Sequence, residues 1–246
     1  MARYKIILAY DGTLLFGSQR QAVSRTVQSE LEKTLSRLGW QEKSVLLAGR
    51  TDAGVHASGQ VASFELLWNH TAEELVRALN SNLPSEMSVR AAQIVPDDFH
   101  PRFDAISRRY CYRLYCQPVR DPLRERYAWR QWPALDGRLL DEAARLMIGT
   151  HNFVAFGTPS RPGNSTVRTV VKSVWRSAAD EWFFDVQADA FLYHMVRRLV
   201  FVQVAVGQGK FPVQVMADML SGSSSLVPAG LAPASGLTLV EVTYPE

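Results

Sequence analysis

The chain has 246 residues, 47% hydrophobic and 21% charged, with a mean hydropathy of −0.09. That is enough to bury a core as one large or two small domains, and too apolar for a disordered chain. Net charge is +3, two cysteines cannot build a disulfide framework, and the most apolar stretch, 191–206, is cut by His194, Arg197, Arg198 and Gln203. A membrane span would need roughly 20 unbroken apolar residues, so no membrane partner is expected. The opening Met1-Ala2-Arg3-Tyr4-Lys5 carries no apolar signal core, which makes a cytoplasmic product with reduced thiols the expectation.

In chain order, Tyr4 to Tyr10 alternates as a strand and Asp11-Gly12 turns it. Val27, Leu31, Leu35 and Leu38 set a helix over 26–38 that Gly39 stops. Strands over 44–48 and 60–66 flank a glycine-bearing loop. The capping-box pattern Thr71-Ala-Glu-Glu74 opens a helix to Leu79, and 88–95 is a further strand. The same order then returns. A strand over 109–116 precedes a helix over 136–148 with a Leu139, Ala143, Leu146 and Met147 stripe. A hairpin of 167–177 and 182–188 turns at Ala179-Asp180. A buried helix follows over 191–206, then a short helix from Pro212 to Leu220 and a strand over 237–244. This reads as an α+β protein of two tandem ferredoxin-like β-α-β-β-α-β halves, 1–104 and 105–246, with antiparallel sheets beside a cleft.

The 27 cations are 22 Arg and 5 Lys, and eight of the arginines fall between Arg102 and Arg130 against three acids. Planar guanidinium forks in such excess suit phosphate contact, and a basic cleft is expected. Several chemistries lack their parts. There is no Gly-Lys-Ser/Thr phosphate loop, no Gly-x-Gly-x-x-Gly after a strand, and no Gly-x-Ser-x-Gly elbow. The five histidines show neither His-Glu-x-x-His nor the deaminase zinc pattern. The expectation is no cofactor and no metal. Against that background the loop Ala48-Gly-Arg50-Thr-Asp52-Ala-Gly-Val-His56 combines a carboxylate, a guanidinium and two glycines between two strands. Glycines permit tight turns and close approach of a ligand, and a nearby Arg keeps an Asp ionised. An Asp that merely caps its own turn gives the same pattern.

Gly49-Arg50-Thr51-Asp52-Ala53-Gly54-Val55-His56 resembles the aspartate motif of the TruA family of tRNA pseudouridine synthases, and the likeness runs along nearly the whole chain. Tyr10-Asp11-Gly12, Gly17-x-Gln19-Arg20, Thr26-Val27-Gln28, Asn80-x-Asn82-Leu83-Pro84, Asp97-Asp98-Phe99-His100-x-Arg102-Phe103, Arg109-Tyr110-x-Tyr112, Phe191-x-x-His194-Met195-Val196-Arg197 and Gly236-Leu237 before Tyr244-Pro245 follow in the family's order. The resemblance implies the pseudouridine synthase fold, isomerisation of uridines 38 to 40 of the tRNA anticodon stem-loop without a cofactor, and a homodimer. By the same resemblance Asp52 is the catalytic aspartate, Arg197 its paired arginine and Arg50 a residue that helps displace the target base. Tyr110 stacks on that base and Leu237 lines the pocket.

These roles fit the chemistry. A uracil anion spreads its charge over two carbonyls, so one carboxylate suffices where glycosidases use two. Asp52 could add to the sugar, stabilise an oxocarbenium-like carbon or remove a sugar proton, and the sequence does not choose among them. Arg197 lies in an apolar helix and needs a partner there. Extruding a stacked uridine costs a few kcal/mol, and Arg102, Arg108, Arg109, Arg161 and Arg168 are the candidates for the backbone contacts that offset it. Two positions depart from the family pattern: Ser18 stands where Trp is usual, and Arg198 where Asn is common. Competing readings are a non-catalytic RNA-binding module of two ferredoxin-like halves and a pseudouridine synthase for another RNA.

Overall fold

The computed structural model describes residues 1–223 and 228–245. It divides into two compact units, Met1–Ile106 together with the chain from Thr238 onward, and Ser107–Leu237. Both mix helices with mainly antiparallel strands, an α+β architecture. Among the described residues no helix is long and apolar enough to cross a membrane.

In the first unit, β1 (Ala2–Tyr10) buries Tyr4, Ile6, Leu8 and Tyr10 on one face, as its alternation predicts. It pairs antiparallel with β3 (His56–Leu66) on one side and β4 (Met87–Val95) on the other, so Ile6 lies opposite both Ala62 and Ala92. Helix α1 (Val27–Arg37) starts at Thr26, whose side chain and that of Ser29 cap each other's backbone N–H groups, and fully buries Val27, Leu31 and Leu35. Helix α2 (Ala72–Asn80) has the reciprocal capping box expected of Thr71 and Glu74.

The strands around the glycine loop differ from expectation. The first, β2, is only Leu46–Leu47, paired with Ser63 and Ala62 of β3, and the Val45 N–H just before it donates to the Glu32 carboxylate at 3.1 Å. The second starts four residues early, at His56. His56-Ala-Ser-Gly59 lacks strand-forming side chains, but its backbone is held by neighbours: Ala57 opposite Tyr10, and His56 and Ala57 in parallel with Thr238 and Leu239 of β10 (Leu237–Thr243). Gly59 is obligatory there, since a Cβ would lie 2.1 Å from the Val240 carbonyl oxygen.

The second unit contains β5 (Ser107–Cys116), the short α3 (Pro122–Glu125), β6 (Trp129–Gln131), α4 (Gly137–Arg145), β7 (Gly149–Asn152), β8 (Val167–Ala178), β9 (Glu181–Ala188), α5 (Met195–Gly207) and α6 (Gln214–Ser221). Its strand order is β5-β9-β8-β7, with β6 parallel to β5. The β8–β9 hairpin turns at Ala179-Asp180 as expected, with Ala179 at φ 55°. Helix α4 is shorter than its apolar pattern. It buries Leu140, Ala143 and Ala144, with Met147 buried just beyond its end, while Leu139 and Leu146 are half-exposed. Leu140 seats against Gly207 of α5, where a Cβ would come within 2.8 Å of it. Helix α5 begins at Met195 and not at Phe191, because His194 takes the left-handed conformation, φ 65°. Its apolar residues are buried almost all round, and within the helix the wholly buried Gln203 accepts from Trp175 Nε1 at 2.8 Å.

Both cysteines lie on β5, half-buried and reduced. Burial pushes the Cys111 thiol up to about 11 and raises Cys116 as well, so neither is a nucleophile at neutral pH.

Candidate active site

The loop between β2 and β3 is fastened from two directions. From the strands, the Tyr10 hydroxyl lies 2.8 Å from Thr51 Oγ1, and Gln60 Nε2 donates to the Gly49 carbonyl at 3.0 Å. Burial lifts the Tyr10 phenol to about 12, so it stays protonated and able to donate. From the segment after β1, Ser18 N–H donates to the Thr51 carbonyl at 3.0 Å, and Thr51 N–H donates to Ser18 Oγ at 2.8 Å. Gly54 N–H donates to the Leu15 carbonyl at 3.2 Å, Val55 N–H to the Asp52 carbonyl at 3.1 Å, and Gly12 N–H to His56 Nδ1 at 3.1 Å.

Glycines make this closeness possible. A Cβ on Gly12 would stand 2.0 Å from the Val55 carbonyl oxygen, and one on Gly17, at φ 87°, would stand 2.8 Å from the Thr51 carbonyl. Gly54 is needed for its φ of 79°. Gly49 has neither constraint, since a Cβ there would meet nothing within 4 Å. Asp52 therefore sits on a backbone that its neighbours over-determine, half-buried, with Arg50 exposed two residues before it.

Tyr110, Arg197 and Leu237 lie in the second unit. Tyr110 is 8% exposed on β5 and meets Phe191 edge-on, ring centroids 5.1 Å apart. Arg197 is half-buried in the first turn of α5, its Nε donating to the Ala232 carbonyl at 2.8 Å. The neighbouring Tyr112 hydroxyl donates to the Pro233 carbonyl at 2.8 Å. Burial holds that phenol well above its usual range, with the Arg197 charge acting in the opposite sense. Leu237 is buried at the start of β10. Arg198, the second departure from the family pattern, donates through Nη1 to the Gly230 carbonyl at 3.0 Å.

The arginine-rich segment is less of a bare cationic surface than its sequence suggests. Arg113 makes a two-point bond with Glu181, at 2.9 and 2.7 Å, and Arg124 bonds Asp180 at 2.7 Å while lying 4.3 Å over the Tyr115 ring. Arg120 pairs with Glu125, and Arg109 lies 3.9 Å from Asp185. Arg108 donates to the Asp189 carbonyl at 2.8 Å, and Arg168 to the Ser165 carbonyl at 2.9 Å. Arg102 is exposed, its guanidinium 5.8 Å over the Phe103 ring. Glu125 is a local partner, whereas Asp180, Glu181 and Asp185, which pair with Arg124, Arg113 and Arg109, come from the β8–β9 hairpin, over fifty residues along the chain.

Arg113 above all, then Arg124, holds the Glu181 carboxyl below its ordinary 4.5. A carboxylate with a lowered folded-state pKa contributes stability that is complete above the unfolded value and is lost as pH falls through the lowered one. Glu181→Gln should therefore flatten the acid limb: between pH 7 and pH 4 its melting midpoint should fall less than that of the unaltered protein. An equal or steeper fall would show that this pair does not contribute to acid sensitivity.

Among the described residues no group of three or more His, Cys, Asp or Glu is placed to hold a metal ion. The model of the tRNA pseudouridine synthase family matches residues 6–104 and 143–245. A tRNA pseudouridine synthase A of Methylacidiphilum infernorum is 43% identical over 244 residues, covering 98% of this chain and 95% of that one. The proteins of the same description from Syntrophotalea carbinolica and Limosilactobacillus fermentum are each 39% identical, over 99% of this chain and 97% and 96% of theirs. With the family model spanning both units and these relatives aligned almost end to end, the chain belongs to the tRNA pseudouridine synthase family.

Proposed function

We propose that this enzyme converts uridines 38, 39 and 40 of the tRNA anticodon stem-loop to pseudouridine through the carboxylate of Asp52. Membership of the family makes it an isomerase acting on tRNA uridine. The isomerisation breaks the bond between the sugar carbon C1′ and uracil N1, the electron pair leaving with the base. Uracil then turns, C5 bonds C1′, the C5 proton is lost and N1 gains one, so the product has the atoms of the substrate and no co-reactant is consumed. Addition of Asp52 to the sugar, electrostatic support of the cationic carbon and removal of a sugar proton all require an ionised carboxylate held in one place. The observation that carries the proposal is the fastening of residues 49–55 on both sides of Asp52, a placement a merely turn-capping aspartate does not need.

In this reading Arg197 is the charge partner of that carboxylate, Arg50 helps displace the target base, Tyr110 stacks on it and Leu237 lines its pocket. A stack of this kind contributes roughly 1 to 3 kcal/mol, and the apolar wall keeps water from the detached base. Arg102, Arg108, Arg109 and Arg168 contact the RNA backbone. The reading takes the two ferredoxin-like halves, 1–104 and 105–246, as flanking a basic cleft, and the enzyme as a homodimer whose tRNA site draws on both chains.

Anticodon stem-loops carrying a single uridine test the assignment. Product should form when that uridine stands at 38, 39 or 40 and not when it is moved up the stem. Binding without product at any position would leave an RNA-binding module, and product only in an unrelated RNA would reassign the substrate. Phosphate-led binding further requires that affinity for the stem-loop fall at least about tenfold between 50 and 200 mM salt. A flat response would remove the arginines from the RNA interface.

A further inference from the structure

The structure assigns Ser18 the role of a positioning residue for Asp52, an inference that rests on the proposed reading of Asp52 as the reacting carboxylate. Ser18 has no exposed surface, and it faces a single residue of the loop with both its backbone and its side chain. Its N–H donates to the Thr51 carbonyl at 3.0 Å while its Oγ accepts the Thr51 N–H at 2.8 Å, so both peptide groups of Thr51 are bound. The Thr51 carbonyl belongs to the peptide that joins it to Asp52. Fixing that peptide fixes the direction in which Asp52 leaves the loop.

The other end of the clamp is anchored. The Ser18 carbonyl accepts from Gln28 N–H at 3.0 Å and the Gly17 carbonyl accepts from Val27 N–H at 3.2 Å, both in the first turn of α1. Helix α1 is in turn set in the core by Val27, Leu31 and Leu35. A chain of hydrogen bonds thus runs from a rigid helix terminus through Ser18 to the residue before the carboxylate. Thr51 is held independently on its side chain by Tyr10, which leaves its backbone as the part that Ser18 controls.

A Trp side chain, usual at this place in the family pattern, has no acceptor to offer the Thr51 N–H, since its indole nitrogen only donates. In this chain the loop is held by a hydrogen bond that such a side chain does not make.

Removing the acceptor leaves a buried N–H unsatisfied and frees the peptide to tilt, and small misplacements at a reacting group are expensive in rate. Ser18→Ala should lower kcat on the anticodon stem-loop about tenfold or more, with KM within about threefold. Ser18→Thr and Ser18→Val form a matched pair that share a shape and differ in the hydroxyl. Whatever both lose by crowding, Ser18→Thr should retain severalfold more kcat than Ser18→Val. Assays are run well below the lowest melting midpoint of the set, so that all variants are folded.

A Ser18→Ala enzyme with unchanged kcat, or Thr and Val variants of equal kcat, would overturn the assignment. So would a loss confined to KM. The same assay on Asp52→Ala separates the two readings. If that variant still forms product the proposed role of Asp52 has failed, whereas an inactive Asp52→Ala beside an unaffected Ser18→Ala refutes only the role of Ser18.

Discussion

Asp52→Ala is expected to slow pseudouridine formation by at least about 10⁴-fold, roughly 5 kcal/mol in the barrier, while leaving the melting midpoint within about 2 °C of the unaltered protein. The rate effect follows from the chemistry: no second carboxylate is present in the loop to take over. The small stability effect follows from how the loop is built. Its fastening bonds run through the backbone of Thr51, Asp52 and Gly54 and the side chains of Ser18, Tyr10, Thr51 and Gln60, none of which the substitution removes. Rate should be read by pseudouridine-specific chemical mapping under single turnover, and stability by calorimetry or circular dichroism. A fall of only tenfold would reduce Asp52 to an accessory group. A large drop in melting midpoint would mean that the carboxylate is part of the scaffold.

Gly12→Ala should behave in the opposite way, failing in the fold before it fails in the chemistry. Gly12 is buried, and its new methyl would have to occupy space 2.0 Å from the Val55 carbonyl oxygen and 2.6 Å from the carbonyl carbon. Those are backbone atoms at the entrance of β3, tied to β1 and β10, so no flexible side chain can swing aside. Overpacking of this severity costs about 3 kcal/mol, or roughly 10 °C in the melting midpoint of a unit of this size. Displacing Val55 also drags Asp52, because Val55 N–H is bonded to the Asp52 carbonyl at 3.1 Å. Activity should therefore fall by more than the unfolded fraction explains. Gly49→Ala is the matching control, since a Cβ there meets nothing within 4 Å. If Gly12→Ala melts like the unaltered protein, the close approach of the two segments is not what holds the loop.

Periodicity and caps made most of the fold legible in the sequence. The alternation of β1, the Val27-Leu31-Leu35 stripe and the Thr71–Glu74 box each state a local preference that the tertiary structure keeps. What escaped is what depends on distant partners. β3 runs back to His56 because Tyr10 and Thr238 supply neighbours, not because its own side chains favour a strand. β6, β7 and α3 are three or four residues each, too short for a period to show. Helix α5 loses its first four expected residues to the left-handed backbone at His194.

The same division holds at the candidate site. The aspartate loop is visible as a motif, and Tyr10, Gly12, Gly17 and Ser18 as neighbouring pieces of pattern, but nothing in their spacing says that they close upon Thr51 and Val55. That closure joins segments 33 and 41 residues apart. The partners of the arginines between 102 and 130 are hidden for a related reason: the acids that pair with Arg109, Arg113 and Arg124 lie on the β8–β9 hairpin. Among the loop glycines, conformational freedom is required at Gly54 and not at Gly49, a distinction that only φ reveals.

The most direct measurement compares the unaltered enzyme with Asp52→Asn, which keeps the side chain's shape and removes its charge, on one preparation of whole tRNA with binding followed in parallel. Equal affinity is expected for the two proteins, with pseudouridine at 38 to 40 formed by the first alone. Comparable rates of product formation from both would contradict it, because an amide would then be doing what has been assigned to a negative charge.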